Sequence, residues 1–350
     1  MRPFDFYLRT RVVFGEGTFQ RLGELSRELG FNRALIVSDQ GIVATGLVAK
    51  ASGILRDAGI ESTVFHEFDA NPDSAMVEAG RAVAAQAGVD GIVALGGGSA
   101  IDLGKAISAE ADVPVVSVPT TYSGAEWTPG FGIRDEVRRV KGGGGGAHVL
   151  GIVYEPELTY DLPPGESGGT ALNALAHCAE ALYVPGRNDE ADVHALAGAP
   201  LISENLPLVL ADGGYPEGRR ALLEGAMHAG AALAGAGLGL GHAMAQAVGG
   251  RYGIAHGAAN AVCLPPALRF NRDVAAAEIE RFGQAMRTDD AAGRVEELAR
   301  LSGFTLLRHL GVPRDDLPAL AKAAAERGGA KANPRPASAG DVLALLESVW

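Results

Sequence analysis

The sequence predicts two domains of different class, an α/β domain over residues 1–156 and an all-α domain over residues 157–350. Two observations carry this prediction. In the first half, short apolar runs alternate with amphipathic segments, as strands and helices alternate in α/β proteins. In the second half, helical periodicity continues to the C terminus and no run has the pattern of a strand.

The strands predicted for the first half are short and mostly apolar. The run RALIVS at 33–38 has the continuous apolar character of a strand that is buried on both faces of a parallel sheet. The predicted strands are 11–14, 33–38, 62–65, 91–95, 115–118 and 149–154. The predicted helices between them are 19–29, 50–58, 74–86 and 100–109.

A glycine-rich junction follows the strand at 91–95. Gly96, Gly97, Gly98 and Ser99 lead directly into the helix at 100–109. Backbone N–H groups at the start of a helix bind pyrophosphate well, and glycine lets the phosphate approach the backbone. The string GGGS alone is also compatible with an ordinary turn. No G-x-G-x-x-G follows the first strand, so a standard Rossmann domain is not predicted.

Polar residues stand at the carboxyl ends of two more predicted strands. Thr120, Thr121 and Tyr122 follow the strand at 115–118, and Asp39 follows the strand at 33–38. Ligands of open α/β sheets bind at this edge. The threonines are equally compatible with a polar turn, and Asp39 with a simple helix cap.

The segment 134–146, RDEVRRVKGGGGG, is the one low-complexity stretch. Five consecutive glycines lack side chains to pack, so the sequence predicts a mobile surface loop. The alternative interpretation is a lid over a bound ligand. The residues EPEL at 155–158 and LPP at 162–164 then mark the predicted domain junction.

Histidines are concentrated in the second domain. His242 lies in a small-residue helix predicted over 231–248 and ended by Gly249 and Gly250, and His256 begins the next helix, where its ring can face His242. The other helices are predicted at 169–184, 189–204, 217–232, 275–286, 291–301, 304–310, 317–326 and 339–349.

Asn173 and His177 lie four residues apart and therefore on one face of the helix at 169–184. With His242 and His256 they form a possible four-ligand set for a divalent metal, because imidazole suits iron, nickel and zinc. A single buried histidine is more often a hydrogen-bonded core residue, and that alternative stays open for each of them.

Composition bounds the partners. A net charge of −12 argues against attraction to nucleic acid or to anionic membranes, and no stretch of about 18 uncharged apolar residues predicts a membrane span. The charged start is unlike a signal peptide, so we expect a cytoplasmic protein. The two cysteines, Cys178 and Cys263, exclude a disulfide framework and are interpreted as packing residues.

Four segments resemble one enzyme family over nearly the whole chain. They are GGGSAIDLGKA, PTTYSGAE, LNALAHCAEALY and GHAMAQAVGGRYGIAHGAANAVCLP. The chain is similar to the iron-containing (group III) alcohol dehydrogenases, which implies a dehydroquinate synthase-like fold with a dinucleotide-binding α/β domain. In most of that family Asn173 is an aspartate and Gln246 a histidine. In having asparagine at position 173, within LNALAHCAEALY, the chain resembles the maleylacetate reductases, which are similar enzymes that work without a required metal.

The resemblance implies roles for several residues. Thr120 and Thr121 would lie along the cofactor, Asp39 would meet the adenosine ribose, and Asp102 would lie near the pyrophosphate and the nicotinamide. Lys141 would contact the cofactor ribose. The expected cofactor is NADH or NADPH, and an aspartate at position 39 favours NADH. Iron or zinc is possible and not expected to be obligatory. Similar enzymes are commonly homodimers.

The sequence therefore predicts an NAD(P)H-dependent oxidoreductase with a small carboxylated substrate, most specifically the conversion of maleylacetate to 3-oxoadipate. His242 or His256 would stabilise the oxyanion, His177 or Tyr122 would supply a proton, and Arg251 would bind a carboxylate. The alternatives are a metal-dependent alcohol or aldehyde dehydrogenase, a dehydroquinate synthase-like cyclase, and a non-catalytic cofactor-binding protein.

Overall fold

The structure, a computed structural model, describes residues 9–68, 72–135 and 140–350, without the side chains of residues 140 and 141. The chain divides into two compact units. The α/β unit runs to Thr121 and continues over Ala125–Thr159, and the helical unit contains Tyr122–Gly124 and Tyr160–Trp350. The junction predicted from the sequence was 156/157.

The α/β unit is built on a parallel sheet, as the alternating pattern predicted. The strands are β1 Arg11–Phe14, β2 Arg33–Val37, β3 Glu61–Phe65, β4 Gly91–Gly96, β5 Pro114–Pro119, β6 Phe131–Asp135, β7 Val140–Gly144 and β8 His148–Tyr154. Six of these strands form one sheet in the order β1-β8-β5-β4-β2-β3, and every neighbouring pair is parallel. The helices are α1 Leu22–Glu28, α2 Gln40–Ala44, α3 Leu47–Asp57, α4 Ser74–Ala87 and α5 Gly98–Ala111.

The register of the sheet brings two of the predicted ligand-binding segments together. All residues of β4 are buried, and its last residue, Gly96, lies opposite Pro119 at the end of β5. The N–H of Thr120 donates to the carbonyl of Gly96 at 3.0 Å. The glycine junction and the two threonines therefore stand side by side at the carboxyl edge of the sheet, where such sheets bind ligands.

The prediction of a loop over 134–146 is wrong for three of the five glycines, Gly142, Gly143 and Gly144. β6 and β7 form an antiparallel ribbon in which Gly142, Gly143 and Gly144 pair with Ile133, Gly132 and Phe131. A Cβ atom placed on Gly144 would lie 2.2 Å from the ring of Phe131, so glycine is needed there because an aromatic ring covers the strand. Residues 136–139 lie outside the described part of the chain.

The helical unit contains no strand among its described residues, as predicted. Its first helix begins earlier than expected, at Pro164, because proline suits the first position of a helix. The helices are α6 Pro164–Ala181, α7 Asp189–Ala211, α8 Pro216–Ala236, α9 Leu240–Tyr252, α10 His256–Asn271, α11 Ala276–Ala285, α12 Ala291–Leu301, α13 Leu317–Ala325, α14 Gly328–Lys331 and α15 Ala339–Ser348.

The predicted helix over 231–248 is in fact two helices. Gly237 adopts φ +93° and ends α8, and α9 begins only at Leu240. Gly249 and Gly250 do not end α9, which runs on to Tyr252 and is capped by Gly253 with φ +68°. The error has a physical cause: glycine inside a buried helix allows close packing, so a glycine pair is not always a stop. The helix predicted at 304–310 is a single 3-10 turn, Leu307–Leu310.

α7 corrects the expectation that no segment could span a membrane. This helix is long and apolar enough to do so by length and composition, and α8 with α9 would also qualify if their 104° bend were ignored. α7 packs between α6 and α8, and its Asp192 pairs with Arg281 at 2.6 Å. It therefore behaves as a core helix of the helical unit.

Candidate active site

Three histidine rings lie together in the helical unit. The rings of His177 on α6 and His242 on α9 stack with centroids 4.7 Å apart and planes 11° apart. His256, the first residue of α10, follows with its centroid 5.7 Å from that of His242. His177 and His242 are almost completely buried. Three helices therefore contribute one imidazole each to a single cluster.

His242 has a carboxylate partner that the sequence analysis missed. Glu180, fully buried on α6, accepts a hydrogen bond from Nδ1 of His242 at 2.7 Å. Among the described residues, Nε2 of His242 has no hydrogen-bond partner. Glu180 lies seven residues after Asn173 and three after His177, so helical spacing put it on their face. That spacing was the signal available in the sequence.

His177 has a different environment. Its Nδ1 is buried and has no hydrogen-bond partner within the described structure. Burial, and then the charges of His242 and His256, hold the pKa of His177 well below its ordinary value. Gly124, at φ +75°, borders the ring so closely that a Cβ atom would lie 3.2 Å from Nδ1. A neutral imidazole therefore faces a position where only glycine fits easily.

Asn173 is held by an amide pair. Its Oδ1 accepts from Nδ2 of Asn260 at 2.6 Å, and its Nδ2 donates to the carbonyl of Ser123 at 2.8 Å. All of these amide groups belong to the helical unit. Asn173 therefore bridges α6, α10 and the segment Tyr122–Gly124, and its oxygen already has a donor.

The predicted metal set does not assemble as a metal site in this arrangement. Among the described residues, no three His, Cys, Asp or Glu side chains are placed to hold one ion. Asn173, the fourth expected ligand, directs its oxygen to Asn260 at 2.6 Å. The metal-binding roles predicted for these four residues remain predictions.

Tyr122 belongs to a second buried cluster. Its side chain is fully buried, and its hydroxyl accepts from Arg219 at 3.2 Å. The guanidinium of Arg219 also donates to Ser167 at 2.7 Å and to the carbonyls of Leu162 and Gly213, each at 2.9 Å. A phenol held in this way ties the segment Tyr122–Gly124 to α6 and α8.

Arg251 is not placed as the sequence analysis expected. Because α9 continues past Gly250, Arg251 lies on its last turn, 44% exposed, and pairs with Asp316 at 3.2 Å. Its guanidinium also lies over the ring of Tyr252. This arrangement is a surface ion pair, and it gives no support to a carboxylate-binding role.

Gln246, where the family usually has histidine, lies one helical turn after His242. Its side-chain oxygen accepts from Arg327 at 3.1 Å. Burial lowers the pKa of Arg327, although a guanidinium stays charged at any physiological pH.

The α/β unit carries the predicted cofactor residues around the start of α5. Gly97 caps that helix, and Gly96 adopts φ +147°, a conformation that favours glycine. A Cβ atom on Gly97 would lie 3.1 Å from Cγ2 of Thr121. The hydroxyl of Thr121 is buried and unpaired among the described residues. A helix start beside an unpaired hydroxyl fits a phosphate, so these residues suit the pyrophosphate of a dinucleotide.

Asp39 lies beside the same glycines. Its Oδ1 accepts from the N–H of Ile42 at 3.0 Å and so caps α2. Its Oδ2 would be 3.3 Å from a Cβ atom on Gly96. The capping role is therefore observed, and contact with a ribose remains a prediction.

Asp102 is engaged within the α/β unit. Its Oδ1 pairs with the buried ammonium of Lys105 at 3.1 Å, and its Oδ2 accepts from the N–H of Gly132 at 3.1 Å. The same ammonium donates to the carbonyl of Ala125 at 2.6 Å. Asp102 thus anchors β6, and its place near a cofactor remains a prediction. Lys141 lies in β7, and its side chain is outside the described structure.

Both cysteines pack in the core, as expected. They are fully buried, and burial raises the pKa of Cys263 to about 12 and that of Cys178 further. Neither is a reactive thiolate.

The comparisons with known proteins cover both units. Residues 9–150 match the model of the iron-containing alcohol dehydrogenases, and residues 168–350 match the C-terminal model of the same family. A maleylacetate reductase from Burkholderia cepacia is 34% identical, with 100% of this chain and 98% of that protein covered.

Two solved structures are also similar. A 1,3-propanediol oxidoreductase has a TM-score of 0.94 at 30% identity, with 100% of both chains covered. A maleylacetate reductase from Agrobacterium tumefaciens has a TM-score of 0.89 at 30% identity, with 100% of this chain and 99% of that chain covered. With this fold and these matches, the chain is an oxidoreductase that belongs to the iron-containing alcohol dehydrogenase family.

Proposed function

We propose that this oxidoreductase uses NADH to reduce the carbon–carbon double bond of maleylacetate to give 3-oxoadipate, without an obligatory metal ion. One observation carries the proposal. Asn173, where most of the family has aspartate, is held by Asn260 and by the carbonyl of Ser123 in a pocket that keeps three histidines. The similarity to a maleylacetate reductase over the full chain supports it.

Asparagine in place of aspartate at position 173 changes which charged ligands the pocket favours. Two like unit charges 4 Å apart repel by about 4 kcal/mol at an effective dielectric constant of about 20. An aspartate at position 173 would act on a dicarboxylate substrate with a repulsion of that order unless a metal neutralised it. Asparagine removes the repulsion, and it removes the negative charge that holds a cation most strongly. The pocket therefore suits an anionic substrate without a metal.

The reaction sets two demands on the protein. When bound, the nicotinamide supplies a hydride to the alkene carbon that is β to the ketone, which leaves an enolate. The protein must stabilise the negative charge on the enolate oxygen and deliver one proton to the α carbon. The electrons and atoms then balance, because maleylacetate, NADH and one proton yield 3-oxoadipate and NAD⁺.

His242 is suited to the charged role. Its Nδ1 hydrogen points to Glu180, so a proton on Nε2 makes an imidazolium whose charge the carboxylate compensates at 2.7 Å. That Nε2 is buried and has no partner in the described structure. We assign to His242 the stabilisation of the enolate oxygen.

Neither of the two residues predicted to supply the proton, His177 and Tyr122, is suited to that role. His177 stays neutral at neutral pH because burial lowers its pKa, so it cannot serve as an imidazolium acid. It orients the substrate as a neutral hydrogen-bonding group. We assign Tyr122 to the Arg219 cluster and not to proton transfer. The proton donor is then His256 or His242 itself.

We further propose that the cofactor is NADH. Gly96, Gly97, Gly98 and Ser99 would hold its pyrophosphate, and Thr120 and Thr121 would lie along it. A 2′-phosphate near the carboxylate of Asp39 would be repelled, so NADPH is disfavoured.

The test measures NADH oxidation after exhaustive chelation, with maleylacetate and with simple aldehydes. We expect turnover of maleylacetate and little activity with aldehydes. Asn173→Asp is the matched variant, because it has the same shape and restores the charge. Its kcat/KM for maleylacetate should fall about tenfold or more, equivalent to about 1.4 kcal/mol, and should respond to added metal.

Activity towards aldehydes alone, and only with iron or zinc restored, would instead identify a metal-dependent alcohol dehydrogenase. Binding of NADH without turnover of any carbonyl or enoate compound would favour a non-catalytic role. Conversion of a sugar-derived phosphate without net consumption of NADH would favour a cyclase.

A further inference from the structure

Glu180 occupies an unusual position between two helices of the helical unit. It lies on α6 with no exposed surface, and it receives four hydrogen bonds from the start of α9. Its Oε2 accepts from the N–H of Gly239 at 2.6 Å and from Nδ1 of His242 at 2.7 Å. Its Oε1 accepts from the N–H of Gly241 at 2.7 Å and from that of His242 at 3.3 Å.

The glycines around this carboxylate explain part of the pattern GLGLGHA. A Cβ atom on Gly239 or on Gly241 would lie 3.0 Å from Oε1 of Glu180. Side chains there would push the carboxylate away from the backbone N–H groups. The start of α9 is therefore shaped to take a carboxylate, and the positive end of the helix stabilises its negative charge.

The carboxylate also decides how the ring of His242 is presented. An ionised carboxylate only accepts hydrogen bonds, so Nδ1 of His242 must carry a hydrogen. In the neutral ring the lone pair then resides on Nε2. The bond also fixes the ring rotation, since Glu180 is itself held by three backbone donors. Nε2 is the atom left unpaired among the described residues.

We propose that Glu180 is the positioning residue of the histidine cluster, which fixes the tautomer and the rotation of His242 so that Nε2 is presented to the substrate. The role of Nε2 rests on the proposed function, whereas the tautomer does not. Partners of this kind, which orient a histidine through its second nitrogen, commonly affect activity by about 10–100-fold.

The substitution Glu180→Gln tests this with little change of shape. With its oxygen towards Gly241 and the N–H of His242, the glutamine keeps both of those bonds. Its NH₂ group then faces the N–H of Gly239, whose bond is lost, and Nδ1 of His242, which must give up its hydrogen to accept. The opposite orientation would set the NH₂ group against the N–H groups of both Gly241 and His242 and so lose two bonds. We therefore expect the tautomer of His242 to reverse, with the hydrogen moving to Nε2.

The measurement is nitrogen NMR of the histidine rings in the metal-free protein, at a pH where His242 is neutral. His242→Gln identifies the signals. In the native protein Nδ1 should show the shift of a protonated ring nitrogen and Nε2 that of an unprotonated one. In Glu180→Gln the two shifts should exchange. Because an uncharged amide cannot compensate the charge of a His242 imidazolium, kcat for maleylacetate should fall about 10–100-fold with a much smaller change in KM.

Glu126→Gln is the matched control. Glu126 is also fully buried and hydrogen-bonded, to the hydroxyl of Tyr154 at 2.5 Å, but it has no histidine partner in the described structure. Burial raises the pKa of Glu126, and glutamine has the same shape as the native side chain. The ring shifts of His242 should be unchanged in this variant.

An unprotonated Nδ1 in the native protein would overturn the proposal, even if Glu180→Gln failed to fold. Unchanged His242 shifts in a folded Glu180→Gln protein would also overturn it. If the tautomer is as expected and maleylacetate is not reduced, the proposed function fails and the positioning role stands.

Discussion

Among the helices that begin directly after a glycine, α5 and α9 differ in what their first N–H groups face. α5 is capped by Gly97, which has no side chain to offer, next to the hydroxyl of Thr121, which has no partner among the described residues. α9 is capped from outside by the carboxylate of Glu180, which lies 59 residues before Gly239. The same local design thus serves an anion of the protein in one unit and suits an external phosphate in the other.

The comparison teaches that glycine at a helix start does not by itself reveal a ligand site. Both starts offer N–H groups and a positive helix end to a negative group. The distinguishing features are burial and the presence of a carboxylate from another helix. Gly241 is buried against Glu180, whereas Gly98 is partly exposed. The two sites should therefore respond differently to the same substitution.

The largest effect is expected for Gly241→Val. The new side chain would begin 3.0 Å from Oε1 of Glu180, in a buried position with no room to move. Overpacking and the loss of buried hydrogen bonds should lower the free energy of unfolding by about 3 kcal/mol. Urea denaturation measures this. Gly165→Val is the control, because Gly165 is an exposed glycine at the start of α6 with open space around it. Equal stability of both variants would contradict the account of Glu180.

A smaller effect, of a different kind, is expected for Gly98→Val. The side chain would stand where we propose that phosphate approaches the backbone, so NADH binding should weaken about tenfold or more, equivalent to about 1.4 kcal/mol. The unfolding transition without NADH should move little. Fluorescence titration with NADH gives the dissociation constant. Native affinity in a folded Gly98→Val protein would remove this glycine from the proposed cofactor site.

Much of the fold could be predicted because it depends on local patterns. The apolar runs of the parallel strands and the periodicity of the helices are written within about ten residues each. The polyglycine strand could not be predicted in this way. Gly142–Gly144 pair with Phe131–Ile133 and lie under the ring of Phe131, and neither partner shows in the glycines themselves.

The site shows the same limit. The histidines could be predicted from their spacing and from the resemblance to a family. In the sequence, Glu180 could be recognised only by its place on the same face of α6 as His177. The nitrogen that it contacts, Nδ1 of His242, lies 62 residues further along the chain. Arg251 was misplaced because the predicted end of the helix, residue 248, was four residues short of Tyr252, so that Arg251 lies on the last turn of α9 beside Asp316 and not in a loop.

The central claim is that the double bond of maleylacetate receives the hydride. The direct measurement uses NADH with deuterium at C4 of the nicotinamide, added to the chelated enzyme with maleylacetate, and locates the label in the product by mass spectrometry and NMR. We predict one deuterium in 3-oxoadipate, on the carbon β to the ketone, where it does not exchange readily with water. Deuterium on a newly formed alcohol carbon would show reduction of the ketone instead and would contradict the claim.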